Sequence, residues 1–339
     1  MKILLTCDPE IPVPPIKYGG VERLVSGLAQ EYQAMGHEVY LVANPASTEP
    51  VKKIYGWKST SSRGWKNVLK NAFQLRKIVR EIRPDMIHSF SRLMYLYPMF
   101  LSGTKMHVLQ TYGRAINQRS TDLARKICGK YIHFACCGAH MLNHICGRED
   151  WNVVYNFTDV DLFQATDGPR DYLAFLGRIE DIKGTYEAIQ VSQKSGIPLI
   201  IAGNVEPEHQ EYFDTKVKPY VDDNLIRYIG PVDDAKKQQL LGGAKAFLMP
   251  IKWEEPFGIV MIEAMACGAP VLAFRRGSVP EVVAKGVGNI SSSVEEMASQ
   301  VAALDCLPPK EINDFVRTNF SRQVIAAQYI DLFRQWTGK

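Results

Sequence analysis

The sequence predicts an α/β protein in which two parallel β-sheets, each covered by helices, follow one another along the chain. Short apolar runs alternate with amphipathic segments of helical period from end to end. A length of 339 residues favours about two domains. The stretch 156–170, with the turn signal Asp167-Gly168-Pro169, interrupts the alternation near the middle. Ligands of such proteins bind beyond the carboxyl ends of the strands.

The first elements form a strand–helix–strand unit. A strand at Lys2–Thr6 precedes a proline-rich loop, and Tyr18-Gly19-Gly20-Val21-Glu22 opens a helix that continues to about Met35. Gly36 ends this helix, and the next strand is Glu38–Ala43. The glycines at the turn allow a ligand to approach the backbone, although a plain turn explains them equally well. They do not form Gly-x-Gly-x-x-Gly, the dinucleotide fingerprint.

The segment 65–83 is predicted as an amphipathic helix. Its other side is basic, and its apolar side comprises Trp65, Val68, Leu69, Ala72, Phe73, Leu75, Ile78, Val79 and Ile82. A helix packed on the core with a solvated basic face is favoured over membrane contact. Further strands of this half are expected at 85–88, 106–111, 131–135 and 153–155, with helices at 92–101, 116–129 and 139–146.

The second half repeats the alternation. Strands are expected at 172–176, 198–202, 225–229, 245–249 and 271–274. Helices are expected at 186–195, 207–221, 233–241, 258–267, 280–284, 294–303 and 322–336. The sequence thus predicts domains at 1–165 and 166–320, and a last helical segment, 321–339, that packs back on the first domain.

Composition narrows the class of protein. A hydrophobic content of 46% is ordinary for a globular chain, and the longest apolar run is too short to span a bilayer. The seven cysteines include no Cys-x-x-Cys pair, which favours a cytoplasmic protein. Residues 1–165 carry 21 Lys and Arg against 13 Asp and Glu, so their net charge is +8. This predicts an anionic partner for the first half, without any nucleic-acid-binding signature.

The helix predicted at 258–267 is apolar on every face, and two carboxylates accompany it. Glu255 comes just before the helix and Glu263 lies within it. A buried carboxylate needs a partner, so each Glu is either in an internal ion pair or cap, or holds hydroxyl groups of a ligand. The start of this helix also offers unpaired amides and a positive dipole end, which suit a phosphate.

Two cations follow the first strand of the second half. Arg178 and Lys183 suit a diphosphate, since Arg can fork onto its oxygens and Lys adds a point charge. A solvated basic loop explains such a pair equally well unless a second anion-binding site lies nearby. The start of the helix at Gly258 is expected to supply that second anion-binding site.

Two groups of residues resemble metal ligands, but neither predicts a metal site. Asp159 and Asp161 fall in the linker, where a turn explains them. Cys136, His140 and His144 are spaced four apart, but Gly138 breaks the register between them.

These motifs together resemble those of the retaining family-4 glycosyltransferases of the GT-B fold, in which two Rossmann-like domains face each other across a cleft. The most specific is Glu-x7-Glu, from Glu255 to Glu263, in Glu-Pro-Phe-Gly-Ile-Val-Met-Ile-Glu. The glycine loop, the segment beginning at Asn156, the 177–184 segment, the loop containing Pro231 and the segment 277–281 also resemble family motifs. The resemblance covers nearly the whole chain.

The resemblance implies roles for individual residues. Glu255 would bind hydroxyls of the donor sugar, and Glu263 those of the ribose. Arg178 and Lys183 would neutralise the diphosphate leaving group, so no metal or other cofactor is expected. Gly20, with Gly19, would let the first domain close over the donor phosphate. The donor-binding set implied by the family is completed by Pro231, Phe257, Gly258, Ile259 and Val260, the backbone amides of 257–259 facing the sugar and phosphate.

One departure leaves the activity open. Tyr112 stands where the family usually has a His that positions the donor sugar, and it is a candidate for sugar or acceptor contact together with Asn156. The expected activity is transfer of a sugar from a nucleotide donor, UDP by family frequency, to a glycan, a lipid-linked saccharide or a small molecule. This would serve cell-surface polysaccharide biosynthesis, with peripheral contact at the inner face of the membrane. The alternatives are a non-catalytic nucleotide-sugar-binding protein and a GT-B sugar-nucleotide epimerase.

Overall fold

The computed structural model describes residues 1–16, 19–301, 304 and 308–338. Tyr18 of the glycine loop and Ala303, at the end of the helix predicted at 294–303, lie outside these residues. The chain divides into two compact units, one formed by Met1–Tyr155 with Arg322–Lys339 and the other by Asn156–Ser321. No helix in the described ranges is both long and apolar enough to cross a membrane.

The first unit is built on a seven-stranded parallel sheet of order β3-β2-β1-β4-β5-β6-β7. Its strands are β1 Lys2–Thr6, β2 Glu38–Ala43, β3 Lys53–Gly56, β4 Met86–Ser89, β5 Val108–Tyr112, β6 Ile132–Cys136 and β7 Trp151–Val153. β1 is central, so Ile3 pairs with Val39 on one side and Met86 on the other and is fully buried. A strand covered on both faces must be continuously apolar, which is why the sequence revealed β1 and not the half-exposed edge strand β3.

Within the described residues, the α-helices of this unit are α1 Gly20–Ala34, α2 Trp65–Ile82, α3 Tyr97–Leu101, α4 Gln118–Cys128 and, from the end of the chain, α12 Arg322–Thr337. α12 packs against α1. Arg322 donates to the Gln30 side chain at 2.9 Å, and Tyr329 packs its ring on His88 at 4.5 Å between centroids.

The helix predicted at 65–83 is present, and six of the nine residues of its predicted apolar side form the buried face, whereas the other three are exposed. Val68, Ala72 and Leu75 are buried, whereas Trp65, Leu69 and Phe73 are exposed to 68%, 41% and 55%. Because an α-helix has about 3.6 residues per turn, residues spaced four apart are each slightly offset around its axis. The row Trp65, Leu69 and Phe73 therefore lies beside the row that faces the core.

The second unit contains a six-stranded parallel sheet of order β10-β9-β8-β11-β12-β13. Its strands are β8 Tyr172–Leu176, β9 Leu199–Ala202, β10 Ile226–Tyr228, β11 Ala244–Met249, β12 Val271–Phe274 and β13 Gly288–Ser291. Its helices are α5 Thr185–Ser195, α6 Gln210–Tyr212, α7 Asp234–Gly242, α8 Ile259–Ala266, α9 Val279–Val282, α10 Val294–Gln300 and α11 Pro309–Phe320. The prediction of two parallel-sheet α/β domains is confirmed.

Two local predictions were wrong, and a third was right only in part. The segment 207–221 is helical as predicted, but the helix type changes from 3₁₀ at Pro207–His209 through α6 and a π-helical turn at Phe213–Val217 to 3₁₀ at Lys218–Tyr220. Pro219 lacks the N–H that a continuous α-helix would need near its end. Only a 3₁₀ turn, Ala139–Leu142, forms in 139–146, where His and Asn are weak helix formers. The strand predicted at 153–155 lies two residues earlier in the chain, as β7 Trp151–Val153.

The boundary between the units also differs from the predicted residue 165. Residues 156–165 belong to the second unit, since their backbone is bonded to α11 and α7. Thr158 N–H donates to the Phe320 carbonyl at 3.0 Å, and Gln164 and Gln238 bond reciprocally through side chain and backbone. These contacts join segments far apart in sequence, so linker composition alone did not reveal them.

Candidate active site

The candidate site of the second unit is organised around the start of α8. Gly258 precedes the helix in the left-handed conformation, with φ of 75°, which an L side chain rarely adopts. A Cβ placed there would also lie 2.9 Å from Met249 Cε. No side chain caps this end of the helix, and Ile259 and Val260 are only half-buried. The first amides of α8 are therefore available to an anion.

A neighbouring loop fixes the segment that leads into α8. Ser278 donates its hydroxyl to the Phe257 carbonyl at 2.6 Å and its N–H to the Glu255 carbonyl at 3.1 Å. Gly277 N–H donates to Glu254 Oε2 at 2.7 Å. Phe257 is itself buried. These bonds preorganise the backbone around Glu255 and Gly258 before any ligand binds.

Glu255 and Lys183 lie side by side. Lys183 Nζ is 2.5 Å from Glu255 Oε2, and the two side chains are only 18% and 14% exposed. Trp253 donates its indole N–H to the same carboxylate oxygen at 3.1 Å, and Lys183 Nζ lies 4.8 Å from the centre of the Trp253 ring. A cation, a carboxylate and an aromatic face thus share one partly desolvated site.

Gly184 explains how Lys183 reaches this position. Its φ of 78° lets the chain turn from the short helical turn Asp181–Lys183 into α5. A Cβ on Gly184 would lie 2.0 Å from the Pro250 carbonyl oxygen, so the loops that follow β8 and β11 meet here. Only glycine permits that approach.

Arg178 follows β8 directly and is half-buried. Its Nη2 lies 2.8 Å from Glu180 Oε1, and His209 Nε2 lies 3.2 Å from the other oxygen of that carboxylate. Glu180 is buried, so it anchors both side chains. Arg178 is held at the same sheet edge as Lys183, in an ion pair of its own.

Glu263 has a partner that the sequence did not predict. Lys237, on α7, lies 2.7 Å from Glu263 Oε1 and 3.2 Å from Asp234 Oδ1. Lys237 Nζ also lies 4.8 Å from the centre of the Phe163 ring. Both carboxylates of the 255–263 segment are therefore in ion pairs, and neither is isolated.

Other predicted residues are more dispersed. Pro231 is exposed in the loop after β10, and Asn156 is buried at the start of the second unit. In the first unit, Gly19 is buried and Gly20 is exposed, and a Cβ on Gly20 would contact nothing within 4 Å. A Cβ on Gly19, by contrast, would lie 2.7 Å from Pro15 Cβ, so packing within the turn itself accounts for glycine there.

Tyr112 lies at the carboxyl end of β5. Its ring packs against Trp151 and Phe134 at centroid distances of 5.5 and 6.3 Å, and burial raises the pKa of its phenol. It also lines a cavity of about 390 Å³ that Asp8, Arg92 and Arg114 share. The sequence did not identify this cavity, because its lining comes from loops after β1, β4 and β5.

The residues considered as metal ligands do not converge. Within the described ranges, no three His, Cys, Asp or Glu side chains are grouped as a metal site requires. Cys136 donates its thiol to the Gly138 carbonyl, and Asp159 accepts N–H groups from Asp161 and Leu162 in a turn.

Two all-parallel sheets, with a polar site at the strand ends of the second, are the architecture of the GT-B fold. The glycosyltransferase family 4 model matches residues 18–162, and the model of glycosyl transferases group 1 matches residues 162–307. The two models together span residues 18–307. The chain therefore belongs to the family-4 glycosyltransferases, and it is accordingly a glycosyltransferase.

Named relatives share modest identity. The chain is 24% identical over 350 residues to glycogen synthase of Mycobacterium tuberculosis, covering 86% of this chain and 83% of that one. It is 24% identical to an uncharacterised 42.6 kDa protein of the cps region of Klebsiella pneumoniae, covering 94% and 97%. A phosphatidyl-myo-inositol mannosyltransferase of Propionibacterium freudenreichii is 30% identical over 122 residues, 35% of this chain and 30% of that one.

Solved structures have the same fold. AviGT4, a glycosyltransferase involved in avilamycin A biosynthesis, superimposes with a TM-score of 0.75 at 22% identity, covering 100% of this chain and 98% of that one. HepE of Anabaena, in complex with UDP and glucose, gives a TM-score of 0.74 at 17% identity, with coverage of 98% and 99%.

Proposed function

We propose that this protein is a retaining glycosyltransferase that moves a sugar from a nucleotide donor, UDP-linked, to an acceptor bound by its first unit. The observation that carries the proposal is the Lys183–Glu255 pair beside the uncapped start of α8. A cation and the first two amides of α8 favour the diphosphate, and a carboxylate accepts hydrogen bonds from sugar hydroxyls.

In this mechanism the ion pairs act as a resting arrangement. On donor binding, Lys183 turns to the diphosphate, and Glu255 exchanges its ammonium partner for sugar hydroxyls. Arg178 adds a second cation from the same sheet edge. Glu263, half-buried on α8, accepts the ribose hydroxyls in place of Lys237.

The reaction breaks the bond between the anomeric carbon and the diphosphate oxygen, and the electron pair leaves with the diphosphate. The acceptor oxygen forms the new bond, and its proton passes to the departing diphosphate. Lys183, Arg178 and the α8 amides stabilise the negative charge that develops on the leaving group. The family supplies the expectation that anomeric configuration is retained.

UDP is proposed as the nucleotide because HepE, which has the same fold, is described in complex with UDP and glucose. An acceptor on a lipid or a cell-surface polysaccharide is proposed because the relatives include a phosphatidyl-myo-inositol mannosyltransferase and a protein of a cps region. The basic first half and the exposed apolar row of α2 agree with peripheral contact to an anionic membrane.

The test is a thermal-shift panel of UDP, GDP, ADP and their sugars, followed by a donor-consumption assay. A nucleotide at a hundred times its dissociation constant raises stability by about 2.7 kcal/mol. UDP and a UDP-sugar are expected to shift melting, and donor consumption to require an acceptor. Stabilisation without consumption would indicate a nucleotide-sugar-binding protein, and conversion of the donor sugar without any acceptor would indicate an epimerase.

A further inference from the structure

Trp253 contacts Glu255, and the proposed mechanism gives this tryptophan no part. Its indole N–H donates to Glu255 Oε2 at 3.1 Å, and the Lys183 ammonium lies 2.5 Å from the same oxygen. Within the described residues, no group of the protein bonds the other oxygen, Oε1, and the Glu255 side chain is 14% exposed. One carboxylate oxygen is thus held by two internal donors, and the other is open to a ligand.

The two donors differ in how far they can move. Trp253 comes two residues before Glu255, and the Glu255 N–H donates to the Trp253 carbonyl at 3.1 Å, which closes a tight turn between them. Lys183 belongs to a different loop and reaches the carboxylate through a flexible four-carbon stem. The ammonium can therefore change partner by rotating its own stem, whereas the indole stays beside the carboxylate.

Backbone bonds hold this turn in place from both sides. Lys252 N–H donates to the Ile182 carbonyl at 2.9 Å, in the loop after β8. Ser278 N–H donates to the Glu255 carbonyl at 3.1 Å, from the loop after β12. Because the segment that carries Trp253 is fixed to both loops, the indole is in position before a ligand binds.

Loss of the Lys183 contact would leave Glu255 as a partly buried carboxylate. In the proposed mechanism Lys183 moves to the diphosphate, and a desolvated charge without a partner is costly. The indole N–H supplies a hydrogen bond to that charge. Because an indole is neutral, it neither follows the diphosphate nor neutralises the carboxylate, whose charge remains available to sugar hydroxyls.

We infer that Trp253 is a positioning residue of the donor-sugar site. It holds Glu255 Oε2 both before and after Lys183 changes partner, so that Oε1 keeps its orientation towards a sugar hydroxyl. The Trp253 ring also contacts the Lys183 ammonium, which lies 4.8 Å from its centre, and this contact exists only in the resting arrangement. The inference rests on the proposed function, because it assigns a role within the site of that transferase.

The first experiment follows the Trp253 indole N–H by proton–nitrogen correlation NMR and by its exchange with solvent. The chain has five tryptophans, so the Trp253 signal is identified as the one that disappears in Trp253→Phe. Lys183→Ala reproduces the departure of the ammonium without any ligand, and in this variant the signal is expected to keep its downfield position and slow exchange. Glu255→Ala removes the acceptor and is expected to speed exchange about tenfold or more. Loss of the protected signal in Lys183→Ala, or unchanged exchange in Glu255→Ala, overturns the inference.

The second experiment compares UDP with UDP-glucose by titration calorimetry. Trp253→Phe keeps an aromatic ring beside Lys183 but lacks the N–H. It is expected to weaken UDP-glucose about tenfold, through the loss of one hydrogen bond to a charged group, and to leave the UDP affinity within about twofold. Weakening of both ligands together with a lower melting temperature would indicate a merely structural role, and unchanged affinity for both would also contradict the inference.

Trp336→Phe is the matched control for the loss of an indole. Trp336 stacks on His133 in the first unit, at 3.7 Å between ring centroids, and it is not part of the proposed donor site. This variant is expected to change the affinity for neither ligand.

The two experiments separate this inference from the proposed function. If the parent protein binds neither UDP nor UDP-glucose, the proposed donor fails, and the indole signal in Lys183→Ala still decides whether Trp253 holds the carboxylate. If UDP binds and Trp253→Phe leaves the UDP-glucose affinity unchanged, the positioning role alone fails.

Discussion

The Lys183 ammonium lies 2.5 Å from the Glu255 carboxylate, although 72 residues separate them in the chain. The pair joins the loops after β8 and β11, and Trp253 donates to the same carboxylate. The pair keeps two charges partly desolvated at this edge, so a ligand that binds either of them has to replace an existing ion pair.

The first prediction concerns this pair. Lys183→Ala and Glu255→Gln are each expected to abolish sugar transfer, since one removes a cation from the leaving diphosphate and the other a carboxylate from the sugar. Lys183→Ala is expected to weaken UDP about 10- to 100-fold, the loss of a charge-assisted contact of about 1.4–2.8 kcal/mol. Kinetics, UDP titration and circular dichroism measure these effects.

Lys194→Ala is the control for these variants. It breaks a comparable ion pair with Glu295 on the surface, away from the site, and is expected to change neither activity nor UDP affinity. Full transfer activity in a folded Glu255→Gln protein would contradict the assigned role.

The second prediction concerns the turn before α8. Gly258→Ala is expected to lose about 1–2 kcal/mol of stability from its left-handed backbone and to bind UDP-sugar at least tenfold more weakly, because relief of that strain would move the first amides of α8. Gly286→Ala is the matched control, since it has φ of 97° with no atom within 4 Å of a Cβ. If both variants bound the donor as tightly as the parent protein, the start of α8 would not be the phosphate-binding site.

The third prediction concerns metal dependence. Because Arg178 and Lys183 supply two cations at the sheet edge, transfer is expected to continue unchanged in EDTA. The measurement is initial rate with and without chelator. A rate that collapses in EDTA and returns with Mg²⁺ or Mn²⁺ would assign the charge-neutralising role to a metal.

The fourth prediction concerns the α2 surface. Trp65, Leu69 and Phe73 are exposed beside Lys66 and Lys70. The protein is therefore expected to float with liposomes containing anionic lipid and less with neutral ones. The Trp65→Ser/Phe73→Ser variant is expected to lose most of this binding, whereas Leu162→Ser, which removes an exposed leucine of the second unit, is not. Equal flotation with both lipid compositions would count against an electrostatic membrane contact.

The fifth prediction concerns acid stability. His88 is completely buried between the Tyr32 hydroxyl and the Thr111 hydroxyl, at 2.9 Å from each, and burial lowers its pKa to about 3. The unfolded chain, with an ordinary His pKa, binds a proton that the folded state excludes. Stability should therefore fall as pH drops below about 6.5, by about 2 kcal/mol at pH 5 from this residue.

The measurement for His88 is urea unfolding at pH 7 and pH 5. His88→Gln keeps a side chain that can bond both hydroxyls but does not titrate, so its stability should depend less on pH over this range. His133, whose pKa burial lowers to about 4, contributes in the same window and is unaffected by this change. An identical pH slope in the His88 variant would show that His88 is not the source.

The sequence alone was sufficient to predict those elements whose residue pattern lies within one short stretch of chain. The strands β1, β8 and β12 are continuously apolar because both faces of a parallel sheet are covered, and all three were predicted with their observed bounds. The α8 segment was recognisable because Gly258 and Gly268 bracket a run of strong helix formers that carries one carboxylate, Glu263, and a second, Glu255, comes just before it. Those features are fixed by spacing along one stretch of chain.

Only the tertiary structure decided what those residues face. The partner of Glu263 is Lys237 on α7, Arg178 shares Glu180 with His209, and the Tyr112 cavity draws on three separate strand ends. The burial of α2 along Val68 and Leu75, with Trp65 left outside, likewise depends on how the helix is rotated against its sheet. Contacts between distant segments follow from sheet order and loop approach, which periodicity in a sequence does not encode.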